Sequence, residues 1–94
     1  MKIEMKKFGE MLISRPAGRE AFLAMSAYVT KGLSKDEIIE LDFEGVKVLT
    51  PSWADEVIPK LSKEFTHVKL LSTDNPTVKE TIKTLREYSG LRLE

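Results

Sequence analysis

The chain predicts an α/β fold: a sandwich of about four strands in a mixed sheet with helices packed on it, in the order β-β-α-β-α-β-α. Three observations carry that expectation. Stretches of alternating apolar and polar residues recur near residues 2–8, 37–43 and 67–72. Apolar residues at three- and four-residue spacing fill 17–31, 51–65 and 77–88. Proline, glycine and small polar residues stand at the joints between the two patterns. Alternating strand and helix implies successive strands running parallel through right-handed crossovers.

The first strand, K-I-E-M-K-K-F, points Ile3 and Met5 one way and Lys2, Glu4 and Lys6 the other. Lys7-Phe8 breaks the register, which predicts a bulge. Gly9-Glu10 suits a two-residue type II′ turn, so Met11 to Ser14 reads as the returning strand of a hairpin. Pro16 opens a helix and Gly32 stops it. Ala21, Phe22, Met25, Tyr28 and Val29 fall on its inner face and Leu23 on the outer one. In the strand E-I-I-E-L-D-F, Ile39, Leu41 and Phe43 share one face. Glu44-Gly45 turns the chain into the short extended piece 46–49.

Thr50 then fits an N-cap and Pro51 the first helical position. The helix carries Trp53, Ala54, Val57, Ile58, Leu61 and Phe65 inward, so Trp53 is expected to be buried. Pro59 sits inside this pattern; it either kinks one helix or opens a second. His67 to Ser72 is the last strand. After the turn residues Ser72 to Pro76, T-V-K-E matches a capping box led by Thr77, and Val78, Ile82, Leu85 and Tyr88 form the final stripe, ended by Gly90.

Composition narrows the function. Ninety-four residues with 41% hydrophobic content make one domain, 1–94, with its own core. The absence of cysteine removes disulfides, cysteine zinc sites and thiol catalysis, and suits a reducing compartment. Fifteen basic residues balance fifteen acidic ones, which argues against a nucleic-acid binder that relies on a basic field. No apolar run approaches the roughly 18–20 residues of a membrane span, and the N-terminal residues lack a signal-peptide core. A cytoplasmic protein without membrane contact is expected.

In such a sheet, ligands and partners meet the loops beyond the carboxyl ends of the parallel strands. Those loops hold Ser14-Arg15, Asp42, Thr50 to Ser52, and Ser72 to Asn75, with Asp55 one turn into the helix after Thr50. Two readings stay open: each polar residue caps its own helix or turn, or they form one shared surface. Ser52 is expected to be accessible and close to Asp42 and Arg15. Arg15 and Arg19 could bracket an anion. Catalysis is not expected, because the single histidine, His67, follows a helix while Ser52 precedes one. No motif calls for a cofactor or a metal.

The stretch D-F-E-G-V-K-V-L-T-P-S-W-A-D-E, with S-R-P-A-G-R-E upstream and N-P-T-V-K-E-T-I downstream, resembles the STAS-like domain of unknown function. That group is related to the STAS domains of anti-sigma factor antagonists and sulfate transporters. The likeness runs from about Met11 to Tyr88. In the antagonists, an aspartate-serine-serine-glycine stretch at a helix start carries a serine phosphorylated by a partner kinase. On this chain the strand-end aspartate is Asp42, the phosphorylated serine falls on Ser52, and Thr50, Pro51 and Trp53 replace its neighbours. The resemblance implies a STAS-like fold and a non-enzymatic regulatory module that binds another protein. That partner would be a histidine-kinase-type ATPase or an anti-sigma-like kinase, and a homodimer is compatible with the same reading. The alternative is a small-molecule or nucleotide site in the strand-end pocket, with Arg15 holding phosphate.

Overall fold

The computed structural model describes residues 1–88 and Gly90. In chain order it contains β1 (Lys2–Glu4), β2 (Met11–Leu12), α1 (Arg15–Ala24), β3 (Ile38–Asp42), β4 (Val48–Leu49), α2 (Pro51–Asp55), α3 (Ile58–Glu64), β5 (His67–Leu71) and α4 (Pro76–Tyr88). The alternation of strand and helix gives the expected α/β build.

The expected mixed sheet of four strands is replaced by two parallel sheets, one of three strands in the order β1-β3-β5 and one of two, β2-β4. The expected hairpin is absent: β1 pairs with β3, Ile3 opposite Leu41, and β2 with β4, Leu12 opposite Leu49. The reason lies in Met5–Phe8, which forms a 3-10 turn rather than a bulged strand. A strand would send Met5 and Phe8 to opposite faces. Three residues per turn put both on one side, so Met5 is buried and Phe8 packs against the core. The chain therefore continues forward past Gly9, and two segments run side by side in parallel twice, with matching breaks. Lys6 lies over Gly45 at the break, where a Cβ would meet its side chain at 2.6 Å.

The second split, between β5 and β4, is set by side chains. Ser72 takes the left-handed conformation, φ 56°, and turns the chain out of β5. Helix α4 then covers the far edge of β4. Asn75 Nδ2 donates to the carbonyls of Lys47 (2.8 Å) and Val46 (3.3 Å). The Thr77 hydroxyl accepts from Leu49 N–H at 3.1 Å, and the buried Thr81 hydroxyl donates to Leu49 O at 2.7 Å. Backbone groups that a neighbouring strand would pair are satisfied by a helix instead.

The helices differ from the expected pattern in two places, and in a third, at Pro59, the second of the two open alternatives holds. α1 runs into one π turn, Met25–Val29, closed by Thr30 N–H to Met25 O at 2.8 Å. The wider turn shifts the phase of everything after Met25. Thr30 moves inward and Tyr28, expected on the inner face, is 88% exposed. Past Thr50 there are two short helices, with Pro59 in the first turn of α3, where its missing N–H costs nothing. Asn75, not Thr77, caps α4: its Oδ1 accepts from Thr77 N–H at 2.8 Å and its carbonyl from Lys79 N–H. Pro76 at the first helical position makes Asn75 the natural cap. The core forms one cluster, with Trp53, Phe43, Met5, Met25, Leu41 and Leu61 among its fully buried members. No helix among the described residues is long and apolar enough to cross a membrane.

Candidate functional site

β2 and β4 lie side by side and each ends in a hydroxyl followed by a helix. Ser14 Oγ accepts from Ala17 N–H at 3.2 Å and starts α1. Thr50 Oγ1 accepts from Trp53 N–H at 3.3 Å and starts α2. The Thr50 hydroxyl also reaches the Ile13 carbonyl, and Thr50 N–H donates to Leu12 O at 3.0 Å. Two helix starts are thereby tied to each other at one end of the two-stranded sheet.

α1 and α2 touch at Gly18. An added Cβ there would lie 2.6 Å from Trp53 O and 3.0 Å from Trp53 Cα, so glycine is what lets the two backbones meet. Charges on the adjoining faces lock the approach. Arg15 Nη1 lies 2.9 Å from Asp55 Oδ2 and 3.0 Å from Glu56 Oε2. Arg19 Nε lies 3.1 Å from Glu56 Oε1, and Lys60 Nζ lies 3.5 Å from the same oxygen. Burial opposes charge on Glu56, yet hydrogen bonds from Arg15 and Arg19, with Lys60 nearby, hold its carboxyl below the usual range. Arg15, bonded to Asp55 and Glu56, is pushed further above its ordinary value. The two arginines do bracket an anion, and in this structure that anion is the Glu56 carboxylate.

Glu56 is the residue the sequence reading missed. Its signal was the i, i+4 spacing of Arg15 with Arg19 and of Glu56 with Lys60, which offers two matching charged faces. Asp55 and Glu56, neighbours in the sequence, both reach Arg15.

Ser52 stands on the exposed side of α2, and its hydroxyl makes no hydrogen bond among the described residues. Arg15 contacts Asp55 and Glu56, three and four residues past Ser52. Asp42 belongs elsewhere. It is buried at the break between β3 and β4, where it accepts from Glu44 N–H at 3.1 Å and pairs with Lys2 Nζ at 3.3 Å. The run of β4 separates it from Thr50, so the expected cluster of Ser52, Arg15 and Asp42 divides into two. Asn75 is used up as a cap and as a clamp on β4. His67 opens β5 opposite Ile38. Among the described residues, no group of three or more His, Cys, Asp or Glu is placed to hold a metal ion.

The Asp42 carboxyl is held below its ordinary value by the Ser72 hydroxyl first, then by Glu44 N–H and Lys2, against the cost of burial. A depressed folded-state value means stability that is fully present above the unfolded value and is lost as pH falls through the folded one. The stability advantage of wild type over Asp42→Asn should therefore be constant near neutrality and shrink below about pH 4. Urea midpoints of both proteins across that range check it; a difference independent of pH would remove Asp42 as the titrating group.

The model of a family described as a STAS-like domain of unknown function matches residues 27–78, more than half the chain. That span runs from the π turn through β3, β4, α2, α3 and β5 to the first turn of α4, and includes Asp42, Thr50, Ser52, Asp55 and Asn75. No curated protein and no solved structure matches the chain. Parallel α/β build and family match together place this chain in the STAS-like family of unknown function.

Proposed function

We propose that the chain is a non-enzymatic, cytoplasmic regulatory module that docks on a protein partner and is switched by phosphorylation of Ser52. The observation that carries the reading is a division of labour at the start of α2. Thr50 does the capping, and the adjacent Ser52 hydroxyl is exposed and uncommitted. A cap would be a poor acceptor, because modifying it would cost the helix its first turn.

The surroundings supply the switch. A phosphate on Ser52 adds nearly two negative charges. Asp55 ends α2 and Glu56 follows it, and Arg15, Arg19 and Lys60 offset their charge. The phosphate competes for Arg15 or meets the acids directly. Either way the charge of the docking face changes while the buried Trp53 face stays in place. The nucleotide-pocket reading is weaker, since Arg15, the anchor it needs, is already neutralised by two carboxylates.

The test uses a histidine-kinase-type ATPase or an anti-sigma-like kinase as the candidate partner, co-purified with wild type, Ser52→Ala and Ser52→Asp. Wild type should gain one phosphate by intact mass and Ser52→Ala none. Ser52→Asp should lose most of its binding with its denaturation midpoint nearly unchanged, because an acid near a helix start is tolerated. Equal binding by all three, with no phosphate on wild type, overturns the switch.

A further inference from the structure

Helix α4 carries a row of cations that the fold does not use. Lys2, Arg15, Arg19, Lys47 and Lys60 each meet a carboxylate. Lys79, Lys83 and Arg86 are exposed and make no ion pair among the described residues. Their spacing of four and then three residues puts them on one face of α4, where they line a cleft of about 460 Å³. Leu70 and Ile82 give the cleft an apolar floor and Thr73 adds a hydroxyl. Glu87 is the one acid among the lining residues, set against three cations.

The cleft meets an open strand edge at Leu70, which belongs to β5, the last strand of its sheet. Phe43 N–H donates to Leu71 O at 3.0 Å, and Leu71 stands opposite Asp42 in the parallel register. That phase turns the backbone groups of Lys69 and Leu71 to β3 and those of Val68 and Leu70 outward. Among the described residues no hydrogen bond reaches the outward groups. Unpaired backbone donors and acceptors thus lie beside unpaired cations.

We propose that this cleft takes an extended acidic segment of a partner protein, its backbone paired with the β5 edge and its carboxylates set on Lys79, Lys83 and Arg86. Charge selects the occupant: the uncommitted cations attract an acidic chain and repel a second copy of the same edge. Spacing selects its conformation. Alternate residues of a strand stand about 6.6 Å apart, close to the rise of about 6 Å between Lys79 and Lys83 along α4. Acids at every second position therefore keep step with the cations while the backbone adds to β5 as a further strand. The inference does not rest on phosphorylation of Ser52.

The probe is a short, end-capped synthetic peptide of alternating glutamate and threonine. Titrated into isotope-labelled chain, it should shift the amide signals of Val68 to Leu71 and of Lys79 to Arg86, slow amide exchange at Val68 and Leu70, and bind more weakly as salt rises. Lys79→Glu combined with Lys83→Glu should weaken binding about tenfold with the denaturation midpoint nearly unchanged, since both side chains are exposed. The same peptide methylated on its backbone nitrogens should not bind, because it cannot donate to the edge, and a lysine-threonine peptide should not bind either. Absence of shifts at millimolar peptide overturns the inference. So does equal binding by the double variant or by the methylated peptide, and so does tighter binding of tripolyphosphate or oligouridylate, which would give the cleft to a different anion.

Discussion

Trp53→Ala is expected to lower the stability of the chain by about 3–5 kcal/mol, the usual cost of emptying a large aromatic site. Trp53 is 1% exposed and belongs to the single core cluster beside α1, α2 and the sheet. Domains of this size have roughly 5–15 kcal/mol in total, so the variant sits near the edge of folding. With a urea dependence of about 2 kcal/mol per molar, the midpoint should fall by about 2 M. Far-UV circular dichroism is the right probe, because Trp53 is the only tryptophan and the variant has no intrinsic indole signal. In wild type, that signal should be blue-shifted when folded and move red on unfolding. A midpoint that does not move would place Trp53 outside the core and free it as a docking anchor.

Gly18→Ala sets two effects against each other. Alanine in place of glycine within a helix is worth up to about 1 kcal/mol in propensity. The new Cβ, however, would lie 2.6 Å from the Trp53 carbonyl oxygen. That atom is backbone and cannot swing aside, so α1 and α2 must separate. Overpacking of this kind costs about 1–3 kcal/mol, and separation also stretches the Arg15 and Arg19 contacts to Glu56 on either side of Gly18. The net expectation is destabilisation of about 1–2 kcal/mol, larger for Gly18→Val, with amide shift changes reaching Ser52. A denaturation midpoint raised by Gly18→Ala would show that the two helices do not meet there.

Both predictions concern the contact that positions the candidate site, and the sequence shows only half of it. Trp53 was legible as buried because it shares a helical stripe with Val57 and Leu61. Thr50 was legible as a cap because a hydroxyl before proline at a helix start has few other uses. Gly18 was not, because a close approach between two helices leaves no mark on either one alone. Asn75 misled for a related reason. A turn asparagine suggests an exposed surface group, yet its amide spans to Val46 and Lys47, far away in sequence.

Local chemistry by itself determined the alternation of strand and helix, the starts of α1 and α2 to within a residue or two, and most of the inward-facing residues. These depend on side-chain periodicity and on capping by near neighbours, which act over a few residues. Only the tertiary structure decided which strands pair. Met5 and Phe8 both reach the core only through a 3-10 turn, and that turn converts an expected hairpin into two parallel pairings. It also decided that Asp42 belongs with Lys2 and Ser72, while Arg15 belongs with Glu56. Those pairings join residues at least thirty positions apart, and the sequence states the charges without stating which strand or helix will carry one to the other.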